Sequence, residues 1–124
     1  MLEASIVATH KDLDVWKEAI TLVTEIYNLT ANFPDSERFG LTSQMRRAAV
    51  SVPSNIAEGA ARGTNKEYVR FLNISLGSLS EIETQILISK NLEYISSTKI
   101  LTDLELIRAK LYKLRTYLKS KINA

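Results

Sequence analysis

The sequence predicts an all-α fold, an antiparallel up-and-down bundle of four helices, and three observations carry that expectation. Four long segments have apolar residues recurring at steps of three and four, the period of a helix buried along one side. No segment shows sustained two-residue alternation rich in β-branched residues, so strands are not expected. The breaker clusters between segments are short, which makes consecutive helices antiparallel neighbours with near-parallel crossing angles. A chain of 124 residues holds one core, read as a tail over residues 1–11 and a single domain over 12–121.

The first helix is expected from about Asp12 to Phe33, with Leu13, Trp16, Ile20, Val23, Tyr27 and Thr30 on its apolar stripe. Pro34 and Asp35 end it, and Trp16 on that stripe reads as a core residue rather than a stacking platform. The second begins near Leu41 or Thr42, after Phe39 and Gly40, and turns Met45, Ala48, Val52 and Ile56 inward. It finishes around Arg62 and Gly63, where glycine is a natural C-terminal cap.

Pro53 lies inside this second helix, where it deletes one backbone donor and crowds the preceding turn, so a kink or a restart is expected. Ser51 and Ser54 flank the defect as donors for freed carbonyls. Asn55 has three readings: a surface polar residue, a partner for the opened backbone, or a ligand contact. Glu58 and Arg62 stand four apart in the order that favours a helical ion pair.

Thr64 followed by Glu67 forms the capping-box spacing that starts the third helix. Tyr68, Leu72, Ser75, Leu79, Ile82 and Ile86 form its stripe, and it runs to about Asn91. Ser75, Gly77, Ser78 and Ser80 make its middle thin, so that another helix can come close around Gly77 and Ser78. Val69, Ile74, Leu76 and Ile88 lie off the stripe, and this excess predicts a second contact surface, hence an oligomer. The fourth helix follows Ser96 and Ser97 with Leu104, Ile107, Leu111, Leu114 and Leu118 inward; Lys119 and Lys121 complement its negative end.

The absence of cysteine excludes disulfides, thiolate metal sites and a cysteine nucleophile, and suits a cytoplasmic protein. The first residues lack the pattern of a signal peptide, and the longest aliphatic run, Ile86 to Ile88, is far from a membrane span. Net charge is only +2, yet residues 1–40 hold three Lys/Arg against seven Asp/Glu, while 106–124 hold six Lys/Arg and no acid. Such a dipolar chain guides subunits together, binds an acidic partner or tracks a phosphate backbone.

Catalysis finds little support. A carboxylate-bridged metal pair in a bundle needs two Glu-x-x-His pairs, and the single histidine, His10, precedes the helices. Glu81 and Glu83 are spaced to point apart, and Ser51 and Ser54 have no histidine base. No glycine-rich loop follows a strand, so no nucleotide motif, cofactor or metal is expected. Tyr112 and Tyr117, by contrast, are interleaved with Arg108, Lys110, Lys113, Arg115, Lys119 and Lys121, a mixture that nucleic-acid surfaces use and that ordinary solvated helix faces also show.

Three segments, DLDVWKEA, LTSQMRRAAVSVPSNIAEGAAR and KEYVRFLNISLGSLSEIETQ, resemble the small bacterial four-helix-bundle family named for proteins encoded in intervening sequences of 23S ribosomal RNA genes. The likeness covers about residues 11–120, with Leu76 standing where the family often has alanine before the Gly-Ser pair. It implies a bundle assembling as a homopentamer and brings no catalytic residues. A related branch, the accessory proteins of diversity-generating retroelements, forms basic pentameric barrels that bind nucleic acid and a reverse transcriptase.

The resulting expectation is a non-enzymatic, homo-oligomeric bundle presenting Arg46, Arg47 and Arg62, then Arg108, Lys110, Lys113, Arg115, Lys119 and Lys121, to phosphates of structured RNA or another nucleic acid. The alternative is a protein-interaction scaffold or accessory subunit, for example for a reverse transcriptase. In it, the arginines pair across subunits with Asp12, Asp14, Glu18 and Glu25 of the first helix. Pro53, Asn55, Glu58 and Gly77 are the expected structural positions.

Overall fold

The computed structural model describes His10 and residues 13–122. Four helices follow in order: α1 (Asp14–Thr30), α2 (Leu41–Ala60), α3 (Asn65–Asn91) and α4 (Ile100–Ser120). A short 3-10 turn, Asp35–Glu37, lies between α1 and α2. Each helix packs on its sequence neighbours and α1 closes against α4, whereas the diagonal pairs keep their backbones apart. The all-α antiparallel bundle is therefore the observed fold. No helix among the described residues is long and apolar enough to cross a membrane.

The core runs down the middle of the bundle, through Leu22 and Ile26 of α1, Met45 and Ile56 of α2, Leu72 and Leu79 of α3 and Leu104 and Leu111 of α4. In α3 and α4 the expected stripes face this core, with Tyr68 and Leu114 at its edge. In α1 the stripe is displaced by one residue. Val15, Ala19, Leu22, Ile26 and Thr30 are the buried positions, while Trp16 and Val23 are half-buried and Ile20 and Tyr27 exposed. Two overlapping three-four patterns compete in this segment, and the one with bulkier side chains is the outer one. Small Ala19, fully buried, lets α1 sit close to its neighbours, and Trp16, half-buried, packs against the core from its edge rather than inside it.

Capping residues fix the helix limits. Thr64 Oγ1 accepts a hydrogen bond from the amide of Glu67 at 3.2 Å, half of the capping box, while the Glu67 carboxylate turns to Arg70 instead. At the start of α2, the Leu41 amide donates to Glu37 Oε1 at 3.1 Å, so a carboxylate sits at the positive helix end. Gly63, with φ +89°, makes the left-handed turn after α2.

α2 runs unbroken through Pro53, so the helix does not restart there. The surrounding polar groups come from its own next turn and from α3. Asn55 Nδ2 donates to the carbonyl and hydroxyl of Ser51, at 2.8 and 2.9 Å. Ser75 Oγ donates to the Val52 carbonyl and Ser78 Oγ to Ser51 Oγ, each at 2.8 Å. The thin middle of α3 thus serves α2, and Asn55 supports the proline turn. Among the described residues Ser51 and Ser54 donate to no freed carbonyl, contrary to expectation; Ser51 instead accepts from Asn55 and Ser78.

α3 lies tight against α2 at Gly59. A Cβ there would stand 2.9 Å from Phe71 Cβ and from Tyr68 Cδ1, and 3.2 Å from the Tyr68 carbonyl oxygen. Gly77, expected to admit a neighbour, has nothing within 4 Å of its would-be Cβ. Of the apolar residues off the α3 stripe, Val69 and Leu76 are spent on this chain's core, and Ile74 and Ile88 remain exposed.

Candidate functional site

The two flanks of α1 carry opposite charge, and the end of α4 carries a third surface. Between α1, α2 and the loop joining them lies an open cleft of about 720 Å³, with Arg38, Arg46 and Arg47 on its walls, hydroxyls such as Thr42 and Ser54 between them, and no carboxylate lining it. Arg46 is built in: Nε donates to Thr30 Oγ1 at 2.9 Å, a terminal nitrogen donates to the Tyr27 carbonyl, and the guanidinium lies 4.4 Å over the Tyr27 ring. Arg38 lies over Phe39, and Arg47 is exposed. None of the three forms an ion pair among the described residues. Phe39 at the rim is 87% exposed.

The same seam continues as an apolar groove of about 350 Å³, lined by Trp16, Ile20, Val23, Val50, Pro53 and Ala57. It holds the α1 side chains that the core did not take. A small apolar residue at Ala57 and the proline at Pro53 leave room on α2 for these larger partners.

On the other flank, between α1 and α4, Glu18, Glu25 and Asp103 line a groove of about 240 Å³ together with exposed Leu106. Burial, then the hydrogen bond and charge of Asp103, push the Glu25 carboxyl above its ordinary range. Lys110 pairs with Glu18 Oε2, while Glu18 Oε1 is buried without a hydrogen-bond partner. The bond to Glu18 raises the Lys110 ammonium above its usual value.

The basic residues of α4 divide into two groups. Arg108 is held by Glu83 at 2.8 Å and by Glu105; burial opposes its charge, and these two carboxylates outweigh it. Lys110 is likewise ion-paired, so within this chain neither Arg108 nor Lys110 is a free cation. Lys113, Arg115, Lys119 and Lys121 form no ion pair among the described residues. Arg115 donates to Asn73 Oδ1 at 2.8 Å and lies 4.9 Å over the Tyr112 ring, and Lys121 lies 5.4 Å over Tyr117. Both tyrosines are exposed.

Arg62 shares this end of the bundle but pairs with Glu58 at 3.0 Å and lies over Phe71. Both charged side chains of that pair are about half exposed, so its worth is a few tenths of a kcal/mol at most. The structure therefore does not bring all nine expected cations together. Arg46 and Arg47 stand on the α1–α2 seam and the α4 group on the diagonal helix. Arg38 and Phe39, neither of them among the expected site residues, complete the cleft. Their signal was available as an arginine and an aromatic beside Gly40.

Glu81 accepts from Gln85 and Glu83 pairs with Arg108, and no group of three metal-binding side chains occurs among the described residues. His10 packs edge-on against Trp16 at 5.2 Å. Asp12 lies outside the described residues.

The family model described as 23S rRNA-intervening sequence protein matches residues 11–115. Among solved structures, a protein of unknown function from the S23 ribosomal protein family of Bacteroides thetaiotaomicron VPI-5482 is 23% identical and superposes with a TM-score of 0.58. The match covers 89% of this chain and 99% of that one, and it shows the shared fold. No functionally curated protein matches the chain.

Proposed function

We propose that this chain, which belongs to the 23S rRNA-intervening sequence protein family, is a non-enzymatic, self-associating bundle that binds the phosphates of structured RNA through the basic end of α4. The observation that carries this reading is the set Lys113, Arg115, Lys119 and Lys121, free of carboxylate partners among the described residues, beside exposed Tyr112 and Tyr117. Cations without internal partners attract a polyanion, and the tyrosine rings offer faces for unpaired bases. Phosphate contacts of this kind position the protein without reading sequence. Self-association is supported by the exposed apolar residues of the α1–α2 seam, a pentamer fits the family resemblance, and a cytoplasmic location suits a chain without cysteine.

Filter binding of a labelled hairpin RNA tests the reading. The variant K113A/R115A/K119A/K121A is expected to bind at least tenfold more weakly at low salt, with its helical content kept. Unchanged binding would overturn it. A second reading, a scaffold or accessory subunit for a protein partner, is favoured by one observation: Arg108 and Lys110 are already neutralised inside the chain, which reduces the basic surface.

A further inference from the structure

The two charged surfaces on either flank of α1 are each incomplete. The cleft holds Arg38 and Arg47 with no carboxylate facing them, next to exposed Phe39, Ile20 and Val50. The groove holds Glu25 beside Asp103, two carboxyls lining the same wall, and the unpartnered Oε1 of Glu18, next to Leu106, which is 57% exposed. Among the described residues no cation lines it, and Lys110, which reaches Glu18, is bound through Glu18 Oε2. One surface has arginines and apolar side chains in want of an acid; the other has acids and an apolar side chain in want of a cation.

We propose that the cationic α1–α2 cleft of one copy docks onto the acidic α1–α4 groove of a second copy standing beside it in the same orientation. The inference rests on the self-association proposed above and names its interface. The levels along the bundle agree. Arg46 reaches the Tyr27 carbonyl and Thr30 near the end of α1, and Glu25 lies less than a turn before Tyr27 on the same helix. Parallel copies therefore bring cleft and groove to one height, whereas a twofold contact sets cleft against cleft or groove against groove, like charge against like.

A second copy fits better here than a nucleic acid does. Neither phosphates nor bases have a use for the aliphatic Ile20 and Val50, and arginine with an aromatic anchor beside apolar surface is the composition of a protein interface. A guanidinium brought against the groove favours the charged forms of Glu25 and Asp103 and so offsets the effect of burial on Glu25. Every copy carries both surfaces on different sides, so the contact repeats from copy to copy and closes a ring when the rotation allows. In such a ring the basic ends of α4 all point one way.

Charge reversal tests the interface. R38E/R47E changes the cleft while leaving Arg46 and its internal bonds, E25K/D103K changes the groove, and a third variant carries all four substitutions. Light scattering after size exclusion gives the mass, and circular dichroism checks the fold. Each single-face variant is expected to fall to the monomer mass with its helicity kept, and the fourfold variant to regain the wild-type mass because complementarity is restored. A monomeric wild type would overturn both this interface and the self-association itself. A wild type that assembles, with R38E/R47E and E25K/D103K keeping its mass, would overturn the interface alone. Loss of RNA binding by R38E/R47E with assembly intact would assign the arginines to nucleic acid and likewise overturn it.

Discussion

Alanine at two glycines should move stability in opposite directions. In a helix interior, Gly→Ala gains about 1 kcal/mol from backbone entropy. At Gly77 nothing lies within 4 Å of the new Cβ, so that gain stands alone. At Gly59 the Cβ would meet Phe71 Cβ and Tyr68 Cδ1 at 2.9 Å and the Tyr68 carbonyl oxygen at 3.2 Å. A Cβ and a carbonyl cannot rotate aside as a side-chain tip can, so α2 and α3 must separate. Overpacking of this kind costs about 1–3 kcal/mol, and the upper half of that range applies because backbone has to shift. Net of the entropy gain, Gly59→Ala should lose about 1–2 kcal/mol, or roughly 4–8 °C in Tm for a chain of this size. Gly77→Ala should gain about 1 kcal/mol, or about 4 °C. Urea titration followed by circular dichroism, with unchanged m-values, measures both. A Gly59→Ala protein as stable as wild type would refute the close α2–α3 contact, and a destabilised Gly77→Ala would show that this outer face is covered.

Leu79→Ala removes a fully buried α3 side chain and should cost about 3 kcal/mol, read from the urea midpoint; a loss below about 1 kcal/mol would mean the site collapses around the gap. Glu25→Gln concerns pH. Folding raises the Glu25 pKa, so its contribution is fully present below the unfolded pKa and is lost as pH rises through the folded one. The amide variant should therefore be more stable than its parent at neutral pH and lose that advantage in acid, below the ordinary glutamate range. Paired urea titrations in the R38E/R47E background follow a single copy; equal stability at neutral pH would contradict the burial and the Asp103 contact.

Much of the bundle was legible because α3 and α4 each offer one dominant stripe, and the Thr64 cap and Gly63 turn have local signatures. α1 was misread because Trp16, Ile20 and Tyr27 compete with Val15, Ala19 and Leu22 at the same period. Periodicity alone does not say that the stripe with the small residue is the one that faces two neighbours. The Glu58–Arg62 pair was readable from its spacing. The pairing of Arg108 with Glu83 and of Lys110 with Glu18 was not, since it depends on which helices adjoin α4. The cationic cleft was half legible: Arg46 and Arg47 stood out, but Arg38 and Phe39 join them only after the 3-10 turn folds the loop back.

The central claim is that the unpaired cations at the end of α4 bind a phosphate backbone, and its most direct measurement is the affinity for a structured RNA across a salt series. The account predicts a steep linear fall of log K with log salt, the slope dropping by roughly 0.7–0.9 for each of Lys113, Arg115, Lys119 and Lys121 replaced by alanine. A flat salt dependence, or a slope that these replacements leave unchanged, would contradict it.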